Sequence, residues 1–297
     1  MSFLKIGVMG CGRITRHVHL NVLSRLPGSR LVALAEPDKE RRTEAVRLFP
    51  EATALADYHE LLKLRDVEAV IICLPNELHA EAAIAAFQNG KHVYLEKPLS
   101  TRRDEGKGVI AAWRRSGLVG MIGLNYRFNR LYRAAKQAVQ SERLGEWVGA
   151  RSVFSSAKHV STAWDSFEQK SNVLFDLATH HVDLLHFFFG QSVKNVSAVA
   201  LPRGGDGESV MLQIELFNGP LIQSFFSSSA VEEDRFEIYG RAGRLTVDRY
   251  HSLDVEIMDP IRHSDRSKEK ANAGPFFDGC SISVAHPSSL LSASGEF

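Results

Sequence analysis

The distribution of apolar and polar positions changes character twice along the chain. Up to about residue 123, short apolar runs alternate with amphipathic stretches. Residues 4–9, 30–35, 67–74, 92–95 and 119–123 are runs rich in aliphatic and β-branched side chains, the pattern of strands covered on both faces. Between them, helical periodicity appears after Gly12, where Ile14, Val18 and Val22 recur at i, i+4 and i+8, and again over residues 39–48, 57–64 and 109–115. A further helix is predicted from Asn76, a residue suited to capping its start, to Gly90, which stops it. Pro98 closes the strand over residues 92–95 because it lacks the N–H needed to continue the ladder. Strands that alternate with helices predict a doubly wound parallel sheet.

After residue 123 the pattern becomes one helix followed mostly by strands. The helix spans residues 129–143 with Gly145 as its stop, and extended segments follow at residues 148–155, 193–201, 210–217, 221–227, 235–239 and 245–247. Asn218-Gly219 is a hairpin signal, and Gly243 makes another tight connection. These features predict an open, mostly antiparallel sheet with one helix between its first two strands. From residue 260 to residue 297 the chain is polar, rich in serine and without periodicity. A disordered tail, a truncation and a translated frameshift all fit that stretch. The expected division is therefore residues 1–123, 124–259 and 260–297.

Composition narrows the function without naming it. A net charge of +1 over 297 residues gives no electrostatic case for nucleic acid or an anionic membrane. Cys11, Cys73 and Cys280 stand far apart, which suits a reducing compartment and offers neither a disulfide framework nor metal-ligand spacing. The absence of a signal-peptide pattern and of a long apolar run points to the cytoplasm.

Candidate chemistry falls at three places. Gly10-Cys11-Gly12-Arg13-Ile14-Thr15 follows the first strand and opens a helix, the context of a dinucleotide fingerprint, in which the glycines permit a tight turn and close approach of the backbone to a pyrophosphate. Thr15 stands at the third glycine position, a departure expected to loosen helix packing. Glu36, at the end of the second strand, suits the adenosine ribose hydroxyls and repels a 2′-phosphate, favouring NAD over NADP; Arg41 and Arg42 are expected on the exposed face of the next helix. Lys97, in Glu96-Lys97-Pro98 at the carboxyl end of a strand, is placed to meet a substrate. In the second region, Asp176, His180 and Asp183 share one helix face at i, i+4 and i+7. That puts a carboxylate on either side of a histidine whose proton affinity suits base chemistry near neutral pH. A metal site at His180-His181 is excluded because adjacent helix positions diverge.

Together, GVMGCGRI, Glu36, LPNELHAEAA, GKHVYLEKPLS, NYRFN and DLATHHVDLL closely resemble the Gfo/Idh/MocA oxidoreductases, over about residues 3–247. The resemblance implies a Rossmann domain holding NAD(P) and a second domain whose open sheet forms homodimers or homotetramers. It implies Lys97, Asp176 and His180 as the catalytic residues, and a cofactor lined by Gly10, Cys11, Gly12, Arg13, Ile14 and Glu36. Leu74, Pro75, Asn76, His79, Glu96 and Lys97 complete that lining, and Tyr126, Arg127 and Trp164 are weaker candidates for the substrate wall. The implied activity is hydride transfer between nicotinamide and a secondary alcohol or ketone of a sugar, polyol or cyclitol. NAD-dependent glycoside cleavage through transient oxidation and a catalytically silent NAD-binding regulator are the alternatives. Ser171-Asn172, where the family usually has a glycine pair, and the atypical C-terminal stretch are further departures.

Overall fold

A computed structural model describes residues 3–156, 173–201 and 209–257. Strands β1 (Leu4–Met9), β2 (Ser29–Ala35), β3 (Thr53–Leu55), β4 (Ala69–Ile72), β5 (His92–Leu95) and β6 (Gly120–Ile122) form a six-stranded sheet in the order β3-β2-β1-β4-β5-β6. All neighbouring strands in it are parallel. Its strand order reverses between β1 and β4, so the connections after those strands diverge and open a crevice at the carboxyl edge.

Helices α1 (Leu20–Leu23), α2 (Lys39–Leu48), α3 (Tyr58–Lys63), α4 (His79–Gln88) and α5 (Arg103–Ser116) connect these strands, and a π-helical turn, Thr15–His19, leads into α1. Local chemistry explains their ends. The Asp38 carboxylate accepts the Arg41 N–H at 2.8 Å and Asp57 accepts that of His59 at 2.8 Å, satisfying amides that the first helical turn leaves open. Gly90 and Gly117 take the left-handed conformation at φ 71° and 66° just past α4 and α5. Ile6 and Val8 point into one apolar cluster, with Leu20, Leu31 and Leu34. Met9 points into the other, with Ile72, Phe87 and Leu95, as alternation along a strand requires.

Several expectations are corrected. β3 was not foreseen, since three residues carry too little pattern. The strand predicted over residues 67–74 ends at Ile72. Asn76 does not cap α4; it opens a 3₁₀ turn, Asn76–Leu78, in which the Leu78 N–H bonds the Pro75 carbonyl at 2.9 Å, so the turn itself occupies the capping position. The apolar series Ile14, Val18 and Val22 lies on the exposed side, while Thr15, His19 and Leu20 face inward. The π-turn explains this, because its wider winding rotates the face that a 3.6-residue period assigns.

The second sheet contains β7 (Trp147–Ser155), β8 (Val193–Leu201), β9 (Ser209–Leu216), β10 (Leu221–Ser227), β11 (Glu233–Gly240), β12 (Gly243–Asp248) and β13 (Ser252–Ile257), in the order β13-β12-β11-β7-β10-β9-β8. Only β7 and β10 run parallel among the registered pairs. β13 was also unforeseen. Helices α6 (Arg130–Gln140) and α7 (Thr179–Phe189) belong to this half of the chain, and a second π-helical turn, Leu174–Ala178, leads into α7. Ile222, Phe226, Phe236 and Ile238 of the sheet form a core with Tyr132 and Val139 of α6 and Leu184, Leu185 and Phe188 of α7. Each large side chain so buried contributes roughly 1.5–3 kcal/mol. On the opposite face the neighbours Met211 and Val199 remain 51% and 66% exposed, as does Leu221 at 54%.

Candidate functional site

The first part of the site is the turn after β1. Gly10 has φ +91°, and a Cβ there would lie 2.5 Å from the Cys73 carbonyl oxygen, so only glycine fits between the ends of β1 and β4. Around Gly12 a Cβ would meet nothing within 4 Å; the protein leaves the space over this turn open. Thr15 is fully buried and its hydroxyl donates to the Gly10 carbonyl at 2.8 Å. The expectation that Thr15 loosens packing is thereby corrected, because the hydroxyl ties the turn to its helix. Burial pushes the thiols of Cys11 and Cys73 up to about 12, so both are neutral packing groups.

Glu36 is buried, and its carboxylate accepts the Cys11 N–H at 2.7 Å and the Asp38 N–H at 3.0 Å. Arg41 lies 3.8 Å from it, and Arg42 donates to the Pro37 carbonyl at 3.0 Å and to that of Glu36. The two arginines thus fold back on the turn after β2, contrary to their expected place on an exposed helix face, because the carbonyls and the carboxylate there attract the guanidinium groups. An open glycine turn beside a buried carboxylate at the end of β2 fits a dinucleotide. Arg13 and Ile14 are exposed beside that turn.

The second part lies beyond β4 and β5. Leu74 and Asn76 are half-buried and Pro75 is exposed. His79 is 1% exposed, with Nδ1 2.6 Å from the Pro98 carbonyl and Nε2 2.9 Å from the Leu74 carbonyl. Its side chain braces the two loops and has no ring nitrogen left for a ligand. Glu96 is held by His19, whose Nε2 lies 2.8 Å from Oε1, and accepts the Lys97 N–H at 3.3 Å. Gly123 makes room for this carboxylate, since a Cβ there would come within 3.1 Å of Glu96 Oε2. Lys97 is half-buried and precedes the cis Pro98.

The third part comes from the second half of the chain. His180, at the start of α7, is 9% exposed and stacks on Tyr126 with ring centroids 4.2 Å apart and planes 5° apart. Its Nδ1 is buried without a hydrogen-bond partner among the described residues. Burial first, then the positive charges of Lys97 and Arg249, push its proton affinity from 6.5 down to about 3. Burial and these charges therefore favour the neutral form of the histidine at neutral pH. That Lys97 leads the charges acting on His180 puts the two groups within electrostatic reach, although the chain separates them widely.

Other expected neighbours are placed differently. Asp183 receives Arg127 Nε at 2.6 Å and Nη2 at 2.5 Å, so a bidentate ion pair occupies the carboxylate expected beside His180. Tyr126 is buried behind His180, with its hydroxyl donating to Asp234 at 2.7 Å, which removes it from a substrate wall. The Asp176 side chain, Trp164, Ser171, Asn172 and the stretch beyond residue 257 lie outside the described residues.

Sequence reading missed His19, Asp234 and Arg249. Asp234 had a usable signal: it shares the inward, period-two register of β11 with Phe236 and Ile238, and a carboxylate at a core position requires buried partners. Among the described residues, no helix is long and apolar enough to cross a membrane, and no group of three or more His, Cys, Asp or Glu could hold a metal ion.

Comparison with known proteins agrees with this geometry. Residues 4–124 match the profile described as oxidoreductase family, NAD-binding Rossmann fold, and residues 132–246 match the GFO/IDH/MocA C-terminal domain. Myo-inositol 2-dehydrogenase of Thermotoga maritima is 26% identical over 265 residues, covering 86% of this chain and 78% of that protein. Levoglucosan dehydrogenase of Pseudarthrobacter phenanthrenivorans is 27% identical over 276 residues, covering 81% and 70%. A solved levoglucosan dehydrogenase in complex with NADH and L-sorbose has a TM-score of 0.77 at 27% identity, covering 88% of this chain and 77% of that one.

Proposed function

This chain belongs to the GFO/IDH/MocA oxidoreductase family, with its NAD-binding Rossmann fold, and from that premise we propose that it transfers hydride between NAD and a secondary alcohol or ketone of a sugar, polyol or cyclitol. The observation that supports the proposal is that Lys97, just past the carboxyl end of β5, acts by its charge on His180, which is buried in the second half of the chain. Bound NAD supplies the hydride acceptor, and the glycine turn at Gly10 and Gly12 with Glu36 would hold its pyrophosphate and adenosine ribose. His180 accepts the hydroxyl proton, Lys97 stabilises the developing alkoxide, and Asp176 orients the pair.

The two roles depend on each other. A base with so low a proton affinity takes a proton from an alcohol only when the resulting oxyanion is held, and Lys97 leads the cations whose charge reaches His180, ahead of Arg249. The same charge that depresses His180 thereby stabilises the product of its action.

We assign nucleotide binding to residues 1–123 and substrate binding and assembly to residues 124–259. The exposed apolar positions Val199, Met211 and Leu221 support assembly into a homodimer or homotetramer through the second sheet. The enzyme would work in the cytoplasm.

The test is a panel of sugars, polyols and cyclitols assayed with NAD and with NADP for formation of reduced nucleotide. Steady NADH formation on at least one free alcohol is the expected result. Glycoside cleavage without net NADH would support transient oxidation instead, and NAD binding without turnover of any member would leave a silent binding protein.

A further inference from the structure

Behind His180, in the covered core of the second sheet, one carboxylate gathers four donors. Asp234 is 2% exposed. It accepts the hydroxyls of Tyr126 at 2.7 Å and Tyr132 at 3.1 Å, His181 Nε2 at 3.0 Å and Arg249 Nη1 at 2.9 Å. These partners come from the 3₁₀ turn Asn125–Phe128, from α6, from α7 and from the segment after β12. Two of the four bear directly on His180: Tyr126 carries its ring flat at 4.2 Å, and His181 is the next residue of α7. Arg249 adds its guanidinium 3.9 Å from the centre of the Tyr126 ring.

We propose that Asp234 is a positioning residue for the base, fixing the His180 ring through its hydrogen bonds to Tyr126 and His181. The proposal rests on the assignment of His180 as the base. Stability alone is a weak account of this cluster, because apolar side chains of similar volume often hold a core as well as a buried ion pair does. What the carboxylate adds is direction. Tyr126 cannot tilt away from His180 without breaking its bond to Asp234, and α7 cannot turn about its axis without breaking the bond from His181. The π-helical turn immediately before α7 makes that second restraint consequential, since a π-turn is where one extra residue is accommodated in a helix. His181 anchors the register directly after it. The histidine pair thus divides its tasks, with His181 fully buried on Asp234 and His180 stacked on Tyr126 with its Nδ1 unpartnered among the described residues.

The test uses the full chain and two readouts. In proton NMR, the ring protons of His180, assigned by their loss in His180→Gln, should lie upfield because of the Tyr126 ring current. In Asp234→Asn, and more weakly in Tyr126→Phe, that upfield shift should shrink. With any substrate from the panel, kcat should fall on the order of 10- to 10²-fold, the scale of a misplaced reacting group, while KM for NAD stays unchanged. The double variant should be no worse than the poorer single one. Ser152→Ala, which removes the buried 2.8 Å bond to Ser224 on the same face of the sheet, is the control for general loosening and should alter neither readout. An unchanged His180 shift in a folded Asp234→Asn overturns the proposal; if that variant does not fold, the same result in Tyr126→Phe does so. The NMR readout needs no substrate, so failure of the whole panel would count against the proposed activity and leave this inference to be decided by the spectra.

Discussion

The two sheets solve opposite problems. The six-stranded sheet is covered on both faces, its strands contribute only packing, and the chemistry proposed for it sits beyond the strand ends, at Gly10, Glu36 and Lys97. The seven-stranded sheet is packed on one face, and its contribution lies within that packed face, where Asp234 points in beside Phe236 and Ile238. A parallel sheet therefore offers a site at its edge, where backbone amides and loop residues converge. A one-sided sheet offers side chains aimed through its core at a helix.

The sharpest way to break this comparison is to remove one group from each side. His180→Ala should lower turnover by about 10²–10⁴-fold, the usual scale of acid–base catalysis, with NAD affinity measured by titration nearly unchanged. Lys97→Ala should cost turnover comparably and can also disturb NAD binding; unaltered turnover in either variant would remove that residue from the chemistry. Next in size are the glycines. Gly10→Ala would push a Cβ to 2.5 Å from the Cys73 carbonyl, and Gly240→Ala would push one to 2.1 Å from the Leu144 carbonyl. Each should destabilise by about 1–3 kcal/mol or more, read as loss of melting temperature, but only Gly10→Ala should also weaken NAD binding once folded.

A pH effect on stability comes next. The fold holds His180 down from 6.5 to about 3, so below pH 6.5 the unfolded chain takes a proton that the folded chain refuses. Stability from this group is complete above pH 6.5 and is lost as pH falls toward about 3, by on the order of a few kcal/mol. Melting curves of His180→Gln should show a shallower acid decline; an equal decline would place the cause elsewhere. The smallest effect expected is on cofactor choice. Glu36→Ala should narrow the preference for NAD over NADP, because a phosphate beside that carboxylate is costly, and an unchanged ratio of dissociation constants would exclude the role.

How far the sequence carried depended on the range of the forces involved. β8 and β10 fall where the apolar pattern puts them, at Val193–Leu201 and Leu221–Ser227, because alternation and the Asn218-Gly219 turn are local. β3 and β13 escaped because a short edge strand is defined by its neighbour. The buried face of the helix after Gly12 was hidden because a π-turn breaks the 3.6-residue period without leaving a compositional mark. The Asp234 cluster was hidden for another reason: Tyr126 and Tyr132 lie 108 and 102 positions away in sequence. Lys97 and His180 could be paired only through resemblance to a family.

The central place of β7 also governs the order in which the chain can fold as it leaves the ribosome. Its neighbours are β10 and β11, and Ser152 must wait for Ser224, 72 residues later, before its buried hydroxyl finds a partner. The parallel sheet is complete once residue 122 has emerged, so it can close while the second is still being made. Through synthesis of residues 156–220, β7 and the aromatic residues of α7 have no finished sheet to cover them. Long-range pairing of this kind is slow and exposed to aggregation. A slow stretch of translation should therefore be tolerated after β6 and harmful between β7 and β10, and expression of chains stopped at those two points would reveal the difference as soluble against aggregated product.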